Sequence, residues 1–221
     1  MNDGDSRVAT EVAVFSLVER GLSDLGIPPQ PEQVQQLTRL VSLLSLWASR
    51  INLTGHRDAL EMTSRLLLDA VALTTALPEL ASRSSLADLG SGAGFPGLPI
   101  AILYPQLEVY LVDSRRKRNH FQREARRKVG LPHVHPILGR SDEVDATRCD
   151  VVVAQAMTRP EQAFELMIPW AKPGGLVALP ASEGTEVPRL PAEVEALEER
   201  AYTVPESRTR RKLWVARLRP A

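Results

Sequence analysis

Asp88-Leu89-Gly90-Ser91-Gly92-Ala93-Gly94-Phe95-Pro96-Gly97 is the stretch on which the fold of this chain turns. It is entered from the apolar run Ser85 to Leu89, which reads as a strand, and it leads into a segment able to open a helix. Alternate glycines let the backbone turn with positive φ and come close to a ligand that a Cβ would keep away, and the helix start favours polar or anionic groups. A second acid completes the pattern. Asp113 closes the strand-like run Leu107-Glu108-Val109-Tyr110-Leu111-Val112, where a carboxylate in a βαβ unit accepts hydrogen bonds from ribose hydroxyls. The order strand, glycines, helix, strand, acid describes a nucleotide-cofactor site.

The glycine spacing narrows the cofactor. A dinucleotide fingerprint has glycines at its first, third and sixth positions, whereas Gly90, Gly92, Gly94 and Gly97 occupy the first, third, fifth and eighth. A pyrophosphate needs bare amides at the helix start. S-adenosylmethionine has no phosphate and needs only room for its amino-acid tail and sugar, so the spacing favours it over NAD.

The first eighty residues read as helices. Thr10 to Asp24, with Leu25 just beyond, carries Val12, Val14, Phe15, Leu17, Val18 and Leu22, and Pro28-Pro29-Gln30-Pro31 breaks the chain before a second helix. That helix runs to about Arg50 with Val34, Leu37, Leu40, Val41, Leu44 and Trp47 at three- and four-residue steps, and a third is expected over Ala59 to Leu77. Beyond residue 80 the texture becomes alternating β and α. Strands are expected at Ser85 to Leu89, Glu108 to Val112, Val134 to Leu138, Asp150 to Ala154 and Leu176 to Pro180, then around Tyr202 and at Leu213 to Leu218, with helices between them. Runs such as Val151-Val152-Val153 are apolar on both faces, as in a parallel sheet covered by helices, and the closing segment reads as an antiparallel strand. The expected organisation is a helical extension over 1–80 and a cofactor-binding α/β core over 81–221, forming one compact domain.

Charge is balanced at 27 basic and 27 acidic residues, so composition alone does not announce a nucleic-acid binder, but its distribution is uneven. Arg115, Arg116, Lys117, Arg118, Arg123, Arg126, Arg127 and Lys128 face a single acid, Glu124, and a second basic cluster runs from Arg208 to Lys212. The lone cysteine, Cys149, excludes an internal disulfide and a cysteine-based zinc site, and its place before an apolar strand suits a buried bystander. His133 and His135 alternate on one strand face without an evident third ligand, so no metal is expected. No apolar run approaches bilayer length, and the polar Met1-Asn2-Asp3-Gly4-Asp5 is unlike a secretory signal, which points to the cytoplasm.

With these pieces in place, the chain resembles the RsmG (GidB) family of bacterial methyltransferases, which modify guanosine at ring nitrogen 7 in 16S ribosomal RNA. The resemblance spans nearly the whole chain. It rests on Ile51-Asn52-Leu53-Thr54 with Arg57-Asp58, on Arg65 and Asp69, on the glycine loop with its Phe-Pro-Gly ending, and on Leu111-Val112-Asp113-Ser114 followed by Lys117-Arg118 and Phe121. It implies a Rossmann-like class I methyltransferase with a seven-stranded, mostly parallel sheet and a helical N-terminal extension. It also implies S-adenosylmethionine as cofactor and 16S rRNA or the small ribosomal subunit as partner; no membrane and no metal are expected from the residue patterns above, and a monomer is the expected state. Carried over by position, Asp88, Gly90, Gly92, Gly94 and Phe95 line the cofactor, Asp113 holds the ribose, and Ser141-Asp142 frame the adenine. Gln155 stands where the family presents an arginine that contacts the cofactor. The RNA-binding candidates are Arg115, Lys117, Arg118 and Arg123 on the basic segment.

Three further positions depart from the family pattern. Leu66 and Ala70 replace a histidine and a serine beside Arg65 and Asp69, and Pro180 replaces a lysine after the fifth strand. The cofactor cradle is kept better than the substrate side, which leaves open a diverged methyltransferase with another RNA or a small-molecule acceptor, or a non-catalytic RNA- or nucleotide-binding protein. No general base is evident in Ala154-Gln155-Ala156-Met157-Thr158-Arg159-Pro160, which fits an acceptor nitrogen that carries no proton. Arg65 and Asp69, four apart on one helical face, are the candidate catalytic pair, either joined to each other or facing the substrate. Asn52 and Thr54 either cap the third helix or touch the bound base, with the cap favoured because Asn and Thr commonly satisfy free backbone donors at loop-to-helix junctions.

Overall fold

A computed structural model describes residues 3–154, 159–181 and 184–220. Seven strands form one sheet in the order β3-β2-β1-β4-β5-β7-β6. They are β1 (Ser85–Leu89), β2 (Glu108–Asp113), β3 (Val134–Leu138), β4 (Cys149–Ala154), β5 (Ala171–Ala181), β6 (Val194–Thr203) and β7 (Arg210–Leu218). The first five run parallel, and β7 pairs antiparallel with both β5 and β6. Strand order reverses at β1, which lies between β2 and β4, so a crevice opens at their carboxyl ends, where the glycine loop begins.

The last three strands exceed their expected bounds. β5 starts at Ala171 rather than Leu176, β6 occupies ten residues, and β7 begins at Arg210. The segment Glu195 to Arg200 is strongly charged and lacks the apolar alternation that flags a strand, yet as the sheet's edge β6 needs only one bonded neighbour.

One face of the sheet is packed by α1 (Asp3–Asp24), α2 (Pro31–Ala48), the region of α3 (Ala59–Met62) and α4 (Leu68–Thr75), α5 (Gly97–Leu103) and α6 (Arg116–Val129). Leu22, Leu40 and Leu44 of the extension share a continuous core with Leu111, Val151 and Leu176 of the sheet. Side-chain bonds reinforce that contact: Gln33 Nε2 donates to the carbonyls of Ile102 and Leu103, and Gln36 Nε2 donates to Val129 O. Arg200 on β6 grips Glu79 with two bonds of 2.7 and 2.9 Å and also reaches Ala76 O.

The second face is covered by α7 (Pro160–Met167) and the 3-10 turn Ile168–Trp170. Helices are expected in every connection, but the described residues between β3 and β4, between β5 and β6, and in the short turn between β6 and β7 contain none. The first connection is polar apart from Val144, and the second carries Pro188 and Pro191, so neither offers an apolar stripe.

The expected third helix is interrupted. α3 passes through a π turn, Thr63–Leu67, into α4, and Thr63 Oγ1 donates back to Ala59 O at 2.7 Å. Residues 67–74 are all buried. α3 is capped by Asp58, whose Oδ1 accepts the amides of Leu60 and Glu61 at 2.9 and 3.0 Å, so the cap expected of Asn52 and Thr54 falls to a neighbour. Thr54 Oγ1 instead accepts the amide of His56.

Candidate active site

The loop after β1 is held from below by Asp88. Its carboxyl is fully buried, and Oδ2 accepts the amide of Gly97 at the start of α5 at 2.8 Å. Burial pushes this carboxyl up to about 8, against the pull of the Gly97 amide and with a further push from Asp113. Its Oδ1 has no hydrogen-bond partner among the described residues. Gly97 is sterically required: a Cβ there would stand 2.3 Å from Leu111 Cδ2 and 2.9 Å from Asp88 Oδ2. Gly90, Gly92 and Gly94 all take positive φ, and the Phe95–Pro96 peptide is cis.

Asp113 joins the loop to the next βα turn. Oδ2 accepts the amide of Gly92 at 2.9 Å and Arg118 Nη1 at 3.3 Å, and Oδ1 accepts the amide of Arg115 at 2.8 Å. In front of it lies a cavity of about 520 Å³, within the range of roughly 300–1,000 Å³ usual for small-molecule sites. Gly90, Val112, Asp113, Ser114, Arg115 and Arg118 form one wall, Gly139 to Asp142 a second, and Gln162 and Leu166 of α7 a third. The Gly139 to Asp142 wall is anchored by Trp170, whose Nε1 donates to Ser141 O at 3.0 Å, and by Arg140 bridging to Asp142 and Glu143.

Of the residues expected at the cofactor, Gly90, Asp113, Ser141 and Asp142 line this cavity. Gly92 reaches it through its bond to Asp113, while Asp88, Gly94 and Phe95 are not among its lining residues, Asp88 and Phe95 being buried. Gln155 lies outside the described residues. Arg118, expected on the RNA side, turns inward to Asp113, and Arg115 also borders the cavity. Gln162 and Leu166 carry no sequence signal beyond their four-residue spacing on a helix.

Arg65 and Asp69 do not pair with each other. Arg65 is exposed, whereas Asp69 is buried and accepts from Tyr202 Oη and Arg211 Nη2, both at 3.2 Å. Tyr202 and Arg211 are cross-strand partners of β6 and β7, so the acid bolts α4 to the far edge of the sheet. Arg65 lies within the π turn and Asp69 in the first turn of α4 after it. Burial raises the Asp69 carboxyl, with Arg211 and then Tyr202 opposing. Leu66 packs against the core and Ala70 is within it. Pro180 stands two residues beyond the last β4 partner of β5 and pairs with Leu213 of β7.

Lys117 and Arg123 are exposed on the outer face of α6, with Arg126, Arg127 and Lys128 beyond them. Basic residues in the first turn of a helix oppose its macrodipole, so Arg116 and Lys117 do not serve helix stability. α2 runs antiparallel alongside: Gln36 bonds to Val129 O, and Trp47 meets Phe121 edge-on at 5.7 Å. The chain leaving α2 therefore emerges near the start of α6, and there Ala48 to Arg57 enclose a second hollow of about 730 Å³ bordered by Arg50, Asn52, Thr54 and Arg57. His133 contacts Ala101 O, and His135 pairs with Glu108 and stacks on Tyr110. Cys149 is buried, which pushes its thiol up to about 12. Among the described residues no group of three metal-ligating side chains occurs, and no helix is long and apolar enough to cross a membrane.

The sheet order, the glycine loop at its switch point and the acid ending β2 define the class: a Rossmann-like fold of the S-adenosylmethionine-dependent methyltransferase type. A SAM-dependent methyltransferase from Aquifex aeolicus shares this fold at a TM-score of 0.51 and 17% identity, covering 72% of this chain and 93% of that one. The family described as GidB, rRNA small subunit methyltransferase G, matches residues 33–214. Ribosomal RNA small subunit methyltransferase G of Chromohalobacter salexigens is 34% identical over 89% of this chain and 93% of its own length. The enzyme of the same name from Stenotrophomonas maltophilia is 35% identical over 87% and 90%. The chain belongs to the rRNA small subunit methyltransferase G family.

Proposed function

We infer that this protein is an S-adenosylmethionine-dependent methyltransferase that methylates ring nitrogen 7 of a guanosine in small-subunit 16S rRNA. The observation that carries the reading is the cradle formed by Gly90, Asp113 and Ser141-Asp142 around the 520 Å³ cavity, in a chain matched to the family over 33–214. Its residues fit the cofactor. Asp113 keeps acceptor capacity toward the cavity for ribose hydroxyls, and the Gly139 to Asp142 wall offers backbone groups for an adenine edge. Gly90 borders the cavity directly, and Gly92 acts on it through its bond to Asp113.

Bound S-adenosylmethionine supplies an activated methyl group. Ring nitrogen 7 of guanine presents a free lone pair and no proton, so the protein's task is to hold the acceptor in line with that methyl group and to exclude competing geometry. Asp69, engaged by Tyr202 and Arg211, serves the fold rather than proton transfer in this reading.

Lys117 and Arg123 on α6, with Arg50 and Arg57 beside the second hollow, form the phosphate-binding side, a role in which they position RNA without reading its sequence. Arg118 belongs to the cofactor side, because its guanidinium is committed to Asp113. In this reading the protein acts as a monomer in the cytoplasm, where its ribosomal acceptor is found.

Calorimetric titration with S-adenosylmethionine, S-adenosylhomocysteine and NAD tests the cofactor part. Saturable binding of the first two and none of NAD is the expected result; binding of NAD alone, or of none, contradicts it.

A further inference from the structure

Gln122 belongs to no role assigned above, yet it is fully buried one helical turn after Arg118, on the face of α6 that meets the glycine loop. Its Nε2 donates to Gly92 O at 2.8 Å and to Ser91 Oγ at 2.9 Å. Gly92 O can only accept, so the amide nitrogen must face it, and Oε1 is left without a partner among the described residues. A buried unpaired carbonyl oxygen is destabilising, a cost that an apolar side chain of the same size would not incur. The glutamine therefore does something here that packing does not require.

What it holds is a residue that sterics leave loose. Gly92 sits at φ +58°, and a Cβ built on it would meet nothing closer than 3.8 Å, so neither neighbours nor a side chain confine it. Two hydrogen bonds do. The Gly92 amide donates to Asp113 Oδ2 at 2.9 Å, and its carbonyl receives Gln122, so the middle of the loop is gripped from β2 on one side and from α6 on the other. Ser91, the second partner of Gln122, bonds in turn to Val112 O through both its amide and its hydroxyl. The orientation of the Asp113 carboxylate thus depends on where Gly92 is kept.

We propose that Gln122 is a positioning residue for the cofactor, acting through Gly92 to hold the Asp113 carboxylate aimed into the cavity. The proposal rests on the reading of that cavity as the S-adenosylmethionine site. Gln122→Met keeps length and volume and removes both donated bonds. In the folded variant, affinity for S-adenosylmethionine and S-adenosylhomocysteine falls about tenfold, the equivalent of one to two lost hydrogen bonds. KM for S-adenosylmethionine rises in parallel, while kcat at saturating cofactor and KM for small ribosomal subunits stay at the wild-type values, a split that general loosening of the fold would not produce. In an Asp113→Ala background the same change has little further effect, because the two residues act along one chain. Gln122→Asn, which keeps the amide but falls one methylene short, shows the same selective loss and serves if the methionine variant does not fold. Unchanged cofactor affinity in a folded Gln122 variant, or losses that add to those of Asp113→Ala, overturns the proposal. Failure of the wild-type protein to bind S-adenosylmethionine overturns instead the reading of the cavity.

Discussion

The Asp88 carboxyl and the Gly97 amide meet at 2.8 Å across the ten-residue turn beside the cavity, one at the end of β1 and the other at the start of α5. This contact closes the loop on itself from beneath. It also places a carboxyl where no water reaches it, and that has a consequence for pH.

Because burial raises the Asp88 carboxyl to about 8, the folded state holds its proton more tightly than the unfolded chain does. The stability this confers is full below about pH 4 and is lost as pH rises through about 8, at a limit of about 1.4 kcal/mol per pH unit for one proton. Asp88→Asn removes the titration and keeps an acceptor for Gly97. Chemical denaturation from pH 5 to 9 should show wild type losing stability relative to D88N as pH rises; parallel curves would contradict the assignment.

Gly97→Ala should destabilise the protein by about 1–3 kcal/mol through overpacking against Leu111 and Asp88. Gly92→Ala faces no such clash and should cost about 1–2 kcal/mol, from its left-handed backbone alone. Thermal unfolding of the two variants ranks them, and a G92A protein less stable than G97A would contradict the loop packing.

Asp69→Ala leaves Tyr202 Oη and the Arg211 guanidinium without their acceptor, and the expected loss is about 1–3 kcal/mol, moderated because Arg211 is partly exposed. Urea denaturation measures it. Methyl-transfer activity at a temperature where D69A remains folded should stay near wild type; a large loss of kcat in folded protein would return Asp69 to the chemistry.

Lys117→Ala and Arg123→Ala should each reduce the slope of log affinity against log salt for rRNA by about 1, with cofactor affinity unchanged. Arg118→Ala should do the reverse, weakening S-adenosylmethionine and leaving the salt slope intact, since its guanidinium faces Asp113. Filter binding across a salt series, paired with calorimetry, separates the two faces of α6.

Much of this architecture is legible in the sequence because its signals are local. The glycine loop, the apolar runs of β1, β2 and β4, and Asp113 at a strand end each declare themselves within a few residues. The bonds that set the site are not local. Asp69 meets Arg211 across 142 residues and Gln122 meets Gly92 across 30, and no spacing rule links such pairs. Arg118 shows the same limit in another form: a basic run reads as one face in sequence, but helical geometry turns one member inward and its neighbours out. The π turn is a third case: Arg65 and Asp69, four apart and on one face of a regular helix, are parted where Thr63–Leu67 departs from α geometry, Arg65 being exposed and Asp69 buried.

The most direct test is nucleoside mass spectrometry of 16S rRNA from a strain lacking this protein, with and without the gene restored. The account predicts that one 7-methylguanosine disappears on deletion, returns on complementation, and forms in vitro when purified protein and S-adenosylmethionine meet small subunits from the deletion strain. An unchanged 7-methylguanosine content in the deletion strain would contradict it.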